Sequence, residues 1–166
     1  MLKKIVTMER IIQKMMKGSY HGNLSLDSIY LTEEGEVKFL DPFLLESIHT
    51  PYEKHMLGLV KFPLSPELIH CLQSHHPKPN CDKKKVEVWT IGILMLSLMN
   101  LVQPDYFYDW RNDSLKYNEL DQMLGNVVRR YSPLLVRAIS KCLELSPVNR
   151  CSMRDLEQTL KYYYES

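Results

Sequence analysis

The chain has 166 residues, of which 45% are hydrophobic and 25% are charged, and its formal net charge is +1. This length and composition are typical of one globular domain with a buried core. The small net charge gives no general attraction to nucleic acid or to a membrane surface, so we expect neither as a partner. The four cysteines form no C-x-x-C pair and no secretory leader is evident, which predicts reduced thiols in the cytoplasm.

The first half of the chain is predicted to contain one helix and one β-hairpin. Residues 2–18 form an amphipathic pattern that Gly18 ends. Two short apolar alternations, 28–31 and 36–40, flank the turn signal Thr-Glu-Glu-Gly and therefore predict a hairpin. An irregular segment is expected from residue 41 to residue 65.

The second half is predicted to be helical. Pro66 starts a short helix, since a proline at the first helical position loses no hydrogen bond. A polar loop is expected over residues 74–85. Residues 86–100 are apolar on nearly all sides, which predicts a deeply buried helix too short to span a bilayer. Further helices are expected at roughly 114–126, 133–145 and 153–164, so the predicted fold class is mainly α.

Residues 21–29, HGNLSLDSI, have the layout of a phosphoryl-transfer loop. They resemble the H-R-D-L-x-x-x-N catalytic loop of the protein kinase family, in which the Asp is the catalytic base and the Asn holds a metal ion. Four later segments resemble the same family in the same order. These are VKFLDPFLL for the strand leading into D-F-G, Ser65-Pro66-Glu67 for A-P-E, VEVWTIGILMLSLM for the central helix and SPVNRCSMRDL for the last helices.

This resemblance implies a kinase C-terminal lobe over residues 1–166, as one domain. The catalytic-loop-like segment is 19–31, the activation-segment-like part is 41–67, an insertion loop spans 74–85, and the C-terminal helices occupy 114–164. No G-x-G-x-x-G motif and no V-A-I-K-like strand occurs, so we expect the nucleotide-covering lobe (the N-lobe) to be absent.

The substitutions in the loop predict a loss of catalysis. Asn23 cannot accept a proton as a carboxylate does, and Ser25 offers no charge to a developing anion. Ser28 is a shorter and poorer metal ligand than Asn. Asp41 matches the metal-binding Asp and is a vestigial cofactor-binding candidate, but Pro42 follows it in place of Phe. We therefore expect no enzyme activity, no cofactor and no metal.

The residues that hold the scaffold are retained. The resemblance implies that Glu67 and Arg150 form a buried ion pair, and we predict that they touch. Glu87, in place of an Asp, is expected to accept backbone N–H bonds from the catalytic loop. Trp89 is expected in the core, and His21 as a packed residue bonded to backbone rather than an acid or base.

Two clusters have a functional and an ordinary interpretation. Histidines and cysteines crowd into residues 70–81, but their spacing matches no zinc site, and a helix end running into a polar loop explains them. The densest aromatic group is equally compatible with a protein interface and with core packing. It consists of Tyr106, Phe107, Tyr108 and Trp110.

Two functions follow from these patterns. The first is a catalytically inactive, pseudokinase-like module that binds other protein subunits, which would cover the apolar surface facing the missing lobe. It would act in the cytoplasm as a structural or scaffold subunit, with cytoskeletal association as one setting. The second is a remnant half-site that still binds a nucleotide through Asp41, or that completes an active site with another chain.

Overall fold

The computed structural model describes residues 24–26, 29–34, 37–39, 51–58, 63–76 and 79–165. This part of the chain is mainly helical, with two small antiparallel hairpins. Its α-helices are α1 (Pro51–Met56), α2 (Pro66–Gln73), α3 (Lys83–Asn100), α4 (Tyr117–Val128), α5 (Pro133–Cys142) and α6 (Met153–Glu165). Its strands are β1 (Ile29–Leu31), β2 (Val37–Phe39), β3 (Tyr108–Asp109) and β4 (Ser114–Leu115).

Helix α3 is the centre of the core. Its residues from Glu87 to Ser97 are all buried, as the nearly continuous apolar sequence predicts. Asp82 caps the helix, because its carboxylate accepts the N–H groups of Lys84 and Lys85. Leu101 ends it in a left-handed conformation, with φ of 59°. Helices α4 and α5 pack against α3, and α6 packs against α5.

Gly92 lets α3 approach the end of α5 closely. A Cβ atom built on Gly92 would lie 2.8 Å from the Cβ of Cys142 and 2.8 Å from Cδ2 of Leu143. Both distances are shorter than van der Waals contact, so any larger side chain would push the two helices apart. The backbone of Gly92 is ordinary helix, so backbone flexibility does not explain the glycine. The close packing of α3 on α5 requires it.

The predicted hairpin is present, and a second one was missed. β1 pairs with β2 in the register Ile29 with Phe39. β3 pairs with β4 so that Tyr108 faces Leu115, and the Lys116 N–H continues this pairing by donating to Phe107 O at 2.9 Å. Strands of two residues carry too little alternation to be recognised in a sequence.

Helix boundaries differ from the prediction for local reasons. α3 begins at Lys83 rather than residue 86, because Asp82 is the N-cap. α4 begins at Tyr117 rather than residue 114, because residues 114–115 belong to β4. α5 ends at Cys142 rather than residue 145, and α1 lies within the segment expected to be irregular. The helix predicted for residues 2–18 lies outside the described residues.

No helix in the described part of the chain combines the length and the apolar character needed to cross a membrane.

Candidate functional site

Arg150 and Glu67 form a buried, bidentate ion pair. Nη1 of Arg150 lies 2.8 Å from Oε1 of Glu67, and Nη2 lies 2.9 Å from Oε2. Arg150 is only 1% exposed, and the Glu67 carboxylate stands in the first turn of α2, where the helix dipole favours a negative charge. The predicted contact is confirmed. It ties the first turn of α2 to the loop between α5 and α6.

Every N–H group of the Arg150 guanidinium has an acceptor. Besides the carboxylate, Nε donates to Glu144 O at 3.0 Å, Nη1 to Lys85 O at 2.8 Å and Nη2 to Leu145 O at 3.4 Å. The guanidinium carbon also lies 5.1 Å from the centre of the Trp89 ring. A buried cation with all five donors satisfied is a rigid anchor, because any movement breaks several bonds at once.

Trp89 begins a second buried connection, to the segment just before α2. Its Nε1 donates to the Tyr108 hydroxyl at 3.2 Å, and that hydroxyl donates to Leu64 O at 3.0 Å. Trp89 is fully buried, as predicted for a core residue. Burial raises the pKa of Tyr108 well above its ordinary value, so this phenol stays neutral and can keep donating.

The ring of Trp110 continues this network toward the surface. It stacks on Tyr108 with ring centres 4.6 Å apart and an interplanar angle of 11°, and it lies 4.9 Å from the His55 ring. Nε2 of His55 is in turn 3.1 Å from the Asp113 carboxylate. These contacts join α1 to the turn between β3 and β4.

The predicted aromatic group is therefore divided between core and surface. Phe107 and Tyr108 are buried, and Trp110 is half-buried. Tyr106 is 38% exposed and packs edge-on against Phe107. Of these four side chains, Tyr106 offers the most surface to a partner, and its role at an interface stays a prediction.

Tyr106 belongs to a larger exposed surface that the sequence did not reveal. The bond between Lys116 and Phe107 brings the start of α4 next to the short 3-10 helix Pro104–Phe107, and these two helices contact each other. Tyr106 lies in the 3-10 helix, and Tyr117 is the first residue of α4. Asp121 lies one helical turn after Tyr117, and Asp105 precedes Tyr106. All four side chains are exposed. We call the surface formed by Asp105, Tyr106, Tyr117 and Asp121 the acidic aromatic face.

The catalytic-loop positions are mostly outside the described residues. This applies to His21, Asn23, Ser28, Asp41 and Pro42. Ser25 is half-buried, and Glu87 is buried in the second turn of α3. The bonds predicted from the loop to Glu87 stay a prediction, since residues 21–23 are not described.

The cluster of histidines and cysteines is spread along the end of α2 and the loop that follows. Its members His70, His75 and His76 are exposed. Within the described ranges, no three His, Cys, Asp or Glu side chains converge in a way that could hold a metal ion.

Comparisons with known proteins extend the sequence resemblance. The chain is 25% identical over 162 residues to the CBL-interacting serine/threonine-protein kinase 12 of Arabidopsis thaliana, and this match covers 90% of the chain and 31% of the relative. It is 26% identical over 144 residues to the human serine/threonine-protein kinase PAK 4, covering 84% of the chain and 22% of the relative. The chain is also 23% identical over 150 residues to the serine/threonine-protein kinase STE20 of Eremothecium gossypii. This match covers 84% of the chain and 14% of the relative. No protein-family model matches the chain.

These matches correct one prediction. The substituted catalytic loop predicts that the chain is not an enzyme, but the relatives are named as serine/threonine protein kinases. The prediction rests on residue types at Asn23, Ser25, Ser28 and Pro42 and on the absence of N-lobe motifs, and of these positions only Ser25 lies within the described residues. Such substitutions and missing motifs are therefore insufficient to assign the chain to inactive proteins.

The chain spans about a third or less of the length of these three relatives. Its described helices surround one buried central helix, and the Glu67–Arg150 pair joins the two segments that resemble A-P-E and the final kinase helices. The chain is thus related in sequence to serine/threonine protein kinases, and it folds as a mainly helical, kinase C-lobe-like domain.

Proposed function

We propose that this kinase-like domain binds a basic segment of another protein on the acidic aromatic face. The observation that carries the proposal is the exposure of Tyr106 and Tyr117, which are 38% and 50% exposed, together with exposed Asp105 and Asp121, on two helices that contact each other. Tyrosines supply a large contact area with little conformational entropy to lose, and they are enriched where proteins bind proteins. Two carboxylates beside them favour a partner rich in Lys or Arg.

The charges around this face support a cationic partner. Lys116, which precedes Tyr117, is half-buried, and its charge acts on Asp109 of the neighbouring strand. Hydrogen bonds from Asn112 and Arg111 lower the pKa of Asp109, and the Lys116 charge adds to this effect. The charge of Lys116 therefore acts on the β3–β4 turn.

The face also rests on a rigid base. Phe107 is fully buried next to Tyr106, and Leu120 is buried in the helical turn that carries Tyr117. A surface held by buried neighbours loses little entropy when a partner binds, so more of the contact energy appears as affinity. The named activity of the relatives, phosphorylation by a serine/threonine protein kinase, also requires a polypeptide substrate.

Phosphoryl transfer is the second candidate function, and the kinase relatives favour it. Asp41 would hold the metal ion of Mg-ATP, while another polypeptide segment would supply the nucleotide-covering lobe. A thermal-shift titration with Mg-ATP tests this role, because a ligand that binds the folded state raises the melting temperature. A saturable rise that Asp41→Asn abolishes supports it, and an absence of any rise at millimolar Mg-ATP contradicts nucleotide binding by this chain.

Fluorescence anisotropy tests the binding of a basic segment. The probe is a fluorescein-labelled decapeptide of alternating Arg and Ala, and the comparison peptide carries Glu in place of each Arg. We expect saturable binding of the Arg peptide alone. Tyr106→Ala and Tyr117→Ala should each weaken binding about tenfold, because aromatic contacts at interfaces often contribute more than 1 kcal/mol.

Val128→Ala provides the matched control. Val128 is 59% exposed on the same helix but lies at the opposite end from Tyr117. This variant should bind the Arg peptide as the wild type does. Equal binding by the tyrosine variants and the wild type would contradict the proposed face, and equal binding of the Arg and Glu peptides would contradict the proposed charge preference.

A further inference from the structure

Cys142 and Cys151 lie at the two ends of the loop that carries Arg150. Their Sγ atoms are 3.8 Å apart, and both thiols are free. The backbone holds them together, since the Cys151 N–H donates to Lys141 O at 3.1 Å. No local sequence pattern indicates this pair, because eight residues separate the two cysteines. Two sulfurs this close require only a small movement to bond.

The two thiols have different surroundings. Cys142 is fully buried at the end of α5, whereas Cys151 is half-buried and lines an open cavity of about 640 Å³ between α5 and α6. The hydrogen bond from Cys142 lowers the pKa of Cys151; burial and the Asp155 carboxylate oppose this, and the Lys85 charge assists it. The same bond and complete burial raise the pKa of Cys142. Cys151 therefore has both the greater thiolate character and the access to solvent.

We propose that Cys142 and Cys151 form a site of reversible oxidation, at which hydrogen peroxide reacts first with Cys151 and Cys142 then closes a disulfide. An accessible thiol of lowered pKa beside a second, resolving thiol is the arrangement of thiols that sense peroxide. The cavity gives a small oxidant a route to Cys151, and the burial of Cys142 limits its direct reaction.

The chemistry balances in two steps. The Cys151 thiolate attacks one oxygen of hydrogen peroxide, the O–O bond breaks, and the departing hydroxide takes up a proton to leave as water. Cys151 is then a sulfenic acid. Sγ of Cys142 attacks Sγ of Cys151, the S–O bond breaks, and the departing hydroxide takes the Cys142 proton and leaves as a second water. Two electrons pass from the thiols to the peroxide.

This disulfide would close the loop of residues 143–150 covalently. Arg150 already holds the loop from within, through its bonds to Glu144 O and Leu145 O. A crosslink at the loop ends would restrict the unfolded chain and hold the Arg150 side of the Glu67 ion pair in place. The oxidised domain should therefore melt at a higher temperature than the reduced domain.

Cys71 and Cys81 provide a comparison within the same chain. Burial is the largest of the causes that raise the pKa of Cys81 to about 11, and the nearby Cys71 side chain adds to this effect. A thiol with a raised pKa is a poor nucleophile toward peroxide. Proximity alone predicts that both pairs oxidise equally, whereas thiolate character predicts oxidation at Cys151.

Peptide mapping of the wild-type chain tests the proposal directly. Trypsin cleaves after Lys141, Arg150 and Arg154, so the two thiols fall in separate peptides, 142–150 and 151–154. After a short exposure to hydrogen peroxide and alkylation of free thiols, we expect these two peptides to be linked. Their linked form should exceed any product joining Cys71 to Cys81 by about tenfold, and dithiothreitol should abolish it.

Two variants establish the order of the steps. Cys142→Ala should leave a sulfenic acid on Cys151 that dimedone traps, while Cys151→Ser should leave Cys142 unmodified. Circular dichroism checks that each variant folds, and the wild-type map does not depend on either variant. Equal linkage of both cysteine pairs, first labelling of Cys142 by dimedone, or oxidation of Cys151 without linkage would each overturn the proposal.

Discussion

Arg150 reaches back 83 positions along the chain to bind both carboxylate oxygens of Glu67. The guanidinium also binds three backbone carbonyls, so it joins α2, α3 and the loop before α6. One buried cation thus fixes the relative positions of elements that are distant in sequence.

Glu67→Ala should destabilise the domain strongly. It would leave the buried Arg150 charge without its carboxylate, at a cost of about 3–5 kcal/mol in the free energy of unfolding. Urea denaturation measures this change. Lys141→Ala is the control, since it breaks the exposed pair with Glu144 and should cost no more than about 0.5 kcal/mol. Equal effects of the two variants would show that the carbonyls and Trp89 stabilise Arg150 without Glu67.

Two glycines in helices should respond to alanine in opposite directions. Gly92→Ala would force a Cβ against Cys142 and Leu143, which should lower the free energy of unfolding by about 1–3 kcal/mol. The Cβ added by Gly125→Ala has no neighbouring atom within 4 Å. This variant should raise the free energy of unfolding by up to about 1 kcal/mol, because alanine favours the helix more than glycine does. Thermal melts of both variants provide the measurement. Stabilisation by Gly92→Ala would contradict the close packing of α3 on α5.

Tyr108 should contribute to unfolding at alkaline pH. Its pKa is raised in the folded domain by burial, while an unfolded tyrosine ionises near pH 10, so only the unfolded state loses this proton just above that pH. The stability that the neutral, buried Tyr108 hydroxyl contributes is therefore fully present below about pH 10, and it is lost as the pH rises further. In Tyr108→Phe, urea denaturation between pH 9 and 11 (about the range of tyrosine ionisation) should show a smaller loss of stability.

The same variant should be less stable at neutral pH. Tyr108→Phe removes the acceptor of the Trp89 N–H and the donor to Leu64 O, which should cost about 1–2 kcal/mol. Tyr106→Phe removes the same group from an exposed side chain and is the matched control. A pH dependence in Tyr108→Phe equal to that of the wild type would show that the hydroxyl ionises in the folded state.

The parts of the fold that depend on strong sequence signals were predictable. The buried character of α3 follows from its apolar run, and Pro66 marks the start of α2. The contact between Glu67 and Arg150 followed from the family resemblance, because no local pattern joins residues so far apart. These features depend on residue type more than on detailed packing.

The candidate surface and the cysteine pair could not be predicted in this way. The short helix that carries Tyr106 meets the start of α4 next to the short β3–β4 pairing, whose two-residue strands have no periodic signal. Cys142 and Cys151 approach each other because α5 ends early and the chain turns back before α6. Both arrangements depend on how separate segments pack against each other, and local sequence patterns do not specify that packing.

We expect the acidic aromatic face to bind a basic polypeptide. Chemical-shift mapping tests it most directly, with a ¹⁵N-labelled chain titrated with the Arg-Ala decapeptide. We expect saturable shifts at the amides of residues 105–107 and 117–121, and none at Gln158 in the cavity between α5 and α6. Shifts confined to that cavity, or no shift at peptide concentrations that saturate the anisotropy signal, would contradict it.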